Sequence, residues 1–89
     1  MDRELVLPPD FEDYAWEVEA KGVFWDATVR MGDASVAVTF YDPARLSQEI
    51  IDELNDRSSF ELLRTLVVPS VTEKEMRDAV ARASLGFFR

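Results

Sequence analysis

Three consecutive segments of this 89-residue chain carry large apolar residues at every second position. A side-chain period of two is typical of a β-strand that buries one face. The first segment runs over residues 14–20, the second over residues 23–31 and the third over residues 34–41, with short turn sequences at Lys21-Gly22 and Gly32-Asp33 between them. The pattern predicts a three-stranded antiparallel meander.

The turns also predict the register of this meander. With a two-residue loop at each turn, Trp25 faces Phe40 and Val29 faces Val36 in the neighbouring strand. The bulky residues of all three strands then share one face of the sheet. We therefore expect both tryptophans, Trp16 and Trp25, to be core residues.

A helix is predicted directly after the third strand. Asp42 is a favoured N-cap residue, and Pro43 is tolerated at the first helical position. Leu46, Ile50 and Leu54 recur at a spacing of four residues, which is typical of the apolar stripe of an amphipathic helix. Residues 55–59 are expected to end this helix.

A short strand and a second helix complete the pattern. Residues 65–68 are apolar and β-branched and stop at Pro69, which predicts a fourth strand. Thr72 and Glu75 have the spacing of a capping box, and the helix that they begin is expected to end near Gly86.

The predicted order is therefore β-β-β-α-β-α, which indicates an α+β fold. We expect a two-layer sandwich in which two helices cover one face of the sheet, as a single domain over residues 13–89. Residues 1–12 are predicted to form an N-terminal arm, because Pro8 and Pro9 interrupt strand pairing. The arm is expected to lay Leu5 and Leu7 on the body. Whether the fourth strand lies beside the first or the third strand is left open.

The composition argues against most catalytic chemistry. The chain has no histidine and no cysteine, the residues that most often transfer protons, attack substrates or bind transition metals. Each of the three glycines is explained by a turn or a helix end, so no loop is available to cradle a phosphate. We expect no catalytic residue, no resident metal and no cofactor.

The acidic residues are concentrated at one end of the chain. The net charge is −8, and residues 1–19 carry −6 of it through seven acids and one base. Such a chain repels nucleic acid and anionic membranes. The expected acidic patch consists of Glu12, Asp13, Glu17, Glu19 and Asp26. It raises two alternative hypotheses: an acidic decoy or immunity-type inhibitor of a basic, nucleic-acid-binding protein, or a divalent metal site at Glu17, Glu19 and Asp26.

The predicted register also places an apolar patch on the outward face of the sheet. Phe24 and Tyr41 fall opposite each other there, beside Ala37 and Thr39, and Phe88 near the C-terminus is a further interface candidate. The leading interpretation is a non-catalytic protein–protein interaction module or a self-associating one. In the alternative, the N-terminal arm covers the patch.

No apolar run reaches membrane-spanning length, and the acidic N-terminus lacks the pattern of a secretory signal. We therefore expect a cytoplasmic protein. Eight of the ten basic residues are arginine, which favours a GC-rich, bacterial genome.

Overall fold

The computed structural model describes residues 3–88, which form an α+β fold around a four-stranded sheet. The strands lie in the order β1-β2-β3-β4; the first three are antiparallel, and β4 runs parallel to β3. The predicted fold class is confirmed. In chain order the elements are β1 (Glu4–Val6), α1 (Phe11–Lys21), β2 (Val23–Met31), β3 (Ala34–Tyr41), α2 (Pro43–Asp56), β4 (Thr65–Val67), α3 (Glu73–Arg82) and a short 3₁₀ helix (Leu85–Phe88).

The β2–β3 hairpin follows the predicted register only near its turn. Val29 pairs with Val36 and Ala27 with Val38, as expected from a two-residue loop. Nearer the other end, the register shifts between Phe24 and Ala27 because β2 contains a bulge there. One extra residue in a strand shifts the alternation of side chains by one position, so residues before the bulge point to the opposite face from the one that an unbroken alternation predicts.

The bulge exchanges the predicted places of two neighbouring aromatic residues. Phe24 lies opposite Phe40 and is only 4% exposed, whereas Trp25 is 56% exposed. The prediction that Trp25 faces Phe40 in the core is therefore wrong. The same face as Phe24, called the inner face below, carries the buried residues Ala27, Val29, Val38 and Phe40.

Residues 14–20, predicted as the first strand, belong to helix α1. The residues of α1 that are buried or half-buried are Phe11, Tyr14, Ala15 and Val18, at the spacing i, i+3, i+4 and i+7 of a helix face. Trp16 lies outside this face and is 69% exposed, so its predicted core position is also wrong.

Helix α1 ends at Gly22. A glycine at this position is compatible both with the predicted hairpin turn and with the end of a helix. Gly22 adopts a left-handed conformation with φ 73°, and its N–H donates to the carbonyl of Val18 at 2.9 Å. This is the usual termination of an α-helix by glycine. Lys21 in the last turn complements the helix dipole, as Glu12 and Asp13 do in the first turn.

The first strand of the sheet comes from the segment that was predicted as an arm. Glu4–Val6 pairs antiparallel with β2, and Leu5 lies opposite Val29. Leu5 is buried and Leu7 packs against the core, which confirms their expected contact with the body. Pro8 and Pro9 follow the strand and precede α1, so they interrupt no ladder.

The hydrophobic core lies between the inner face of the sheet and helices α1 and α3. Helix α1 contributes Phe11 and Val18, and α3 contributes Met76 and Val80. Phe88 closes the core from the 3₁₀ helix, with the Arg3 guanidinium 4.9 Å from the centre of its ring. Helix α2 buries none of its residues and takes no part in this core.

Helix α2 connects β3 to the parallel strand β4, which settles the placement of the fourth strand. The predicted N-cap is confirmed, since the Asp42 carboxylate accepts a hydrogen bond from the Arg45 N–H at 2.7 Å. The N–H of Asp42 itself donates to the carbonyl of Gly22 at 2.9 Å. The end of α1 and the start of α2 are thereby held together.

The start of α3 is also as predicted, because the Thr72 hydroxyl accepts from the Glu75 N–H at 3.3 Å. Its predicted end is wrong. The helix stops at Arg82 with Ala83 as its cap, and Gly86 lies inside the 3₁₀ helix instead.

Candidate interaction surfaces

The aromatic residues predicted for an exposed interface are buried. Phe24 lies on the inner face of the sheet and Tyr41 on the opposite, outer face, where its neighbour across the hairpin is Val23. Phe88 is part of the core. The expected pairing of Phe24 with Tyr41 is wrong because of the β2 bulge, and these three side chains do not meet on one exposed surface.

The remaining predicted interface residues, Ala37 and Thr39, do lie on the outer face of the sheet. Ala37 is exposed and Thr39 is half-buried. Thr28 is opposite Ala37, and Thr65 is opposite Thr39. This part of the outer face therefore consists of small uncharged side chains, and it lacks the large aromatic or arginine side chains that usually dominate the binding energy of an interface.

Helix α2 leaves its apolar stripe largely open to solvent. Ile50, Ile51 and Leu54, called the α2 row below, are 36%, 56% and 49% exposed. On an adjoining side of the helix, Glu49 and Glu53 are half-buried and line the same cleft as Trp25. Of the aliphatic residues in its stripe, only Leu46 is half-buried, so the side of α2 that approaches the body carries mainly charged residues.

The cleft beside α2 has a volume of about 840 Å³. Its walls come from the bulged end of β2, the last residue of β3, helix α2 and the segment that follows α2. Aromatic and acidic side chains dominate its lining, which comprises Trp25, Tyr41, Phe60, Glu49, Glu53 and Glu61 together with Arg57, Ser59 and Leu62.

The Tyr41 side chain joins the sheet to α2 within this cleft. Its hydroxyl donates to Glu49 Oε1 at 3.4 Å. Burial raises the pKa of Tyr41 above its usual value of 10.0; a hydrogen bond from Trp25 acts against this, and the Glu49 carboxylate adds to it. The phenol therefore keeps its proton to a higher pH than an ordinary tyrosine does.

The exposed side of α1 carries four of the five residues of the predicted acidic patch. Glu12, Asp13, Glu17 and Glu19 are all exposed. No ion pair joins any of them to a cation within residues 3–88. We call these four residues together with Trp16 the acidic face of α1.

Asp26, the fifth acidic residue, lies on β2 and shares a small cavity with Glu17, Lys21 and Trp25. Glu19 does not line this cavity. In the described part of the chain, no three or more His, Cys, Asp or Glu side chains are arranged to hold a metal ion. The three carboxylates considered for a divalent ion are thus not assembled at one point.

The exposure of Trp16 could have been found in the sequence. Inclusion of Phe11 gives the apolar series 11, 14, 15 and 18, which fits a helix better than the alternation at 14, 16 and 18 fits a strand. The rotation of α2 had no such signal, because Leu46, Ile50 and Leu54 form a regular stripe whichever way the helix faces.

None of the helices described between residues 3 and 88 has the length and apolar character needed to cross a membrane. Comparison of the chain with protein-family models, with curated proteins and with solved structures finds no match.

Proposed function

We propose that the protein is a non-catalytic interaction module that binds a basic protein along the acidic face of α1. The observation that carries the proposal is Trp16, an indole left 69% exposed on a helix whose other exposed residues are mostly carboxylates. Tryptophan is one of the residue types enriched among side chains that dominate binding energy. Its exposure in the free protein is accounted for if a partner covers it.

The charge of α1 supports a basic partner over a neutral one. Residues 1–19 hold a net −6, and four of these carboxylates lie on the exposed side of α1 without a cation of their own. Complementary charge accelerates encounter and rejects acidic competitors. An inhibitor of a nucleic-acid-binding protein would use such an acidic face, because the nucleic-acid-binding surface that it covers is basic.

In the regular part of α1, the carboxylate of Glu19 lies next to the indole of Trp16 in helical spacing. The kink of the helix lies at Tyr14, so residues 15–21 form a regular stretch of helix. Glu19 follows Trp16 by three residues and is its neighbour on the helix surface. An apolar anchor and a negative charge therefore meet a partner together.

A photo-cross-linking residue at position 16, introduced in the cells that express the protein, tests this proposal. The matched control carries the same residue at Gln48, an exposed position on α2. We expect position 16 to capture a basic protein that position 48 does not capture. Capture should be lost when Glu12, Asp13, Glu17 and Glu19 are changed to their amides. No adduct at position 16, or an adduct that survives this change, contradicts the proposal.

A second candidate function is self-association through the α2 row, with a second copy of the chain as the partner. The observation that favours it is the exposure of the α2 row, whose three adjoining aliphatic residues are 36%, 56% and 49% exposed. Adjoining exposed apolar residues are typical of interaction sites. A row of uncharged aliphatic residues can pack on itself across a two-fold axis.

Sedimentation equilibrium over a wide concentration range tests self-association. We expect a dimer whose dissociation constant rises steeply in Ile51→Lys and stays unchanged in Gln48→Lys, which adds the same charge on α2 outside the row. A monomer at every concentration, or equal weakening by both changes, contradicts this second candidate.

A further inference from the structure

We infer that the cleft between Trp25 and α2 is a binding site for an organic cation, the guanidinium group of an arginine side chain on the partner. The assignment of that arginine to a basic protein rests on the proposed function, whereas the chemistry of the cleft stands on its own residues. Three observations support it: the placement of the aromatic rings, the balance of charge and the continuity of the cleft with α1.

The aromatic rings reach the cleft from three separate elements. The β2 bulge turns Trp25 outward, so that its indole is 56% exposed and lines the cleft. Tyr41 at the end of β3 is buried and lies at the same cleft, and Phe60 comes from the segment after α2. Aromatic faces attract cations electrostatically, and tryptophan is the strongest of them.

The charged groups of the cleft leave it negative. Glu49, Glu53 and Glu61 oppose one cation of the lining, Arg57, which gives a net charge of −2. Arg57 lies 3.1 Å from Glu53 and so neutralises that carboxylate. Arg45, outside the lining, forms a longer ion pair with Glu49 at 4.0 Å, so the net charge of −2 counts the lining residues alone. Glu61 has no ion pair within the described residues.

This combination of groups suits a guanidinium better than a metal ion. A divalent cation such as Ca²⁺ requires six or more oxygen ligands at close range, and none of the described residues form such a cluster. A guanidinium is planar and weakly hydrated, so it stacks on an indole while it donates hydrogen bonds to a carboxylate. Trp25 and Glu49 offer those two contacts in one cleft.

Trp25 also connects the cleft to the acidic face of α1. The same residue also lines the small cavity that Glu17 of α1 and Asp26 share. A basic protein lying along α1 therefore has the cleft within reach beyond Trp25. The carboxylates on both sides of the indole would contact one continuous basic surface.

The test uses the two tryptophan indole N–H signals in an NMR titration, with Trp16→Phe to assign them. The ligand is N-acetyl-arginine methylamide; the lysine analogue and the citrulline analogue, a neutral isostere of arginine, are the comparison ligands. We expect the Trp25 signal to shift and saturate with the arginine compound, with affinity on the order of millimolar because one side chain supplies few contacts. The Trp16 signal should not move.

The variants separate this inference from the proposed function. Glu49→Gln should weaken arginine binding at least several-fold, while Asp33→Asn, which neutralises an exposed carboxylate in the β2–β3 turn, should leave it unchanged. Equal shifts with the citrulline compound, tighter binding of lysine than of arginine, or shifts without saturation would overturn the inference. Saturable arginine binding without a cross-linked basic partner would leave the cleft site intact and refute the proposed function. A basic partner captured at position 16, without any shift of the Trp25 signal on addition of the arginine compound, would support the proposed function and refute the cleft site.

Discussion

Phe24 lies directly opposite Phe40 across the β2–β3 hairpin, one residue out of step with the Ala27–Val38 pair beyond it. This single irregularity has two consequences. It turns Phe24 into the core, where its ring meets Phe11 edge-on at 5.2 Å, and it turns Trp25 out to the cleft. The core and the candidate binding surface are thus linked through one bulge.

Adjacent aromatic residues should accordingly differ in their effect on stability. Phe24→Ala removes a buried ring and should lower the free energy of unfolding by about 3–5 kcal/mol. Trp25→Ala removes a largely exposed ring and should cost no more than about 1 kcal/mol. Urea unfolding of both variants measures the difference. A regular hairpin without the bulge would give the opposite order.

The helical assignment of α1 is tested by Val18 and Trp16. Val18 is buried and Trp16 is exposed, whereas in a strand both would project from the same face. Val18→Ala should therefore cost about 1–3 kcal/mol, and Trp16→Ala about 0.5 kcal/mol or less. Similar losses for the two variants, measured by thermal and urea unfolding, would argue for a strand.

Gly22 should tolerate substitution less well than Gly32. Both have a positive φ, at 73° and 59°, and an alanine at either position is strained by about 1–2 kcal/mol. A methyl group at Gly22 would in addition meet the Asp42 carboxylate, with Cγ at 2.7 Å, while nothing lies within 4 Å at Gly32. We expect Gly22→Ala to be the more destabilising of the two by unfolding. Equal losses would show that the junction between α1 and α2 is looser than described.

The contact between Tyr41 and Glu49 predicts a specific change on alkaline titration. Burial is the main cause that raises the pKa of Tyr41, and the Glu49 carboxylate raises it further. In a Tyr14→Phe background Tyr41 is the only tyrosine, so the absorbance change of phenol ionisation reports one group. Glu49→Gln removes a negative charge and should lower the pKa of Tyr41. An unchanged or higher pKa would mean that the two side chains do not interact.

The same shift gives the sign of a stability change with pH. The folded protein holds the Tyr41 proton more tightly than the unfolded chain, so this contribution is complete below the unfolded pKa of 10.0. It is lost as the pH rises through the higher folded value. Tyr41→Phe should therefore flatten the alkaline fall in the free energy of unfolding.

Local signals in the sequence predicted the elements that depend on a few neighbouring residues. The hairpin near Gly32, the N-cap at Asp42, the short strand β4 and the cap of α3 at Thr72 were all predicted in this way. In the hairpin turn and the two caps, the glycine or the side chain that defines the element lies within a few residues of the backbone that it orders. Strand β4 pairs with the distant strand β3, but its β-branched residues and the proline that follows it are local signals.

The errors arose where two patterns competed or where packing decided. Residues 14–18 satisfy a strand period and a helix period at once, and the burial of Phe11 and Val18 against Phe24 favours the helix. The β2 bulge leaves no mark in a period-two sequence. The orientation of α2 involves contacts between separate elements, such as that between Tyr41 and Glu49, which no local pattern contains.

The salt dependence of binding to the protein captured at position 16 tests the central proposal most directly. We expect the affinity of the wild-type chain to fall steeply as ionic strength rises, because dissolved ions screen the attraction between exposed charges. The variant with Glu12, Asp13, Glu17 and Glu19 changed to amides should bind weakly and with little salt dependence. An affinity that is the same for both chains and insensitive to salt would contradict the acidic face of α1 as the binding surface.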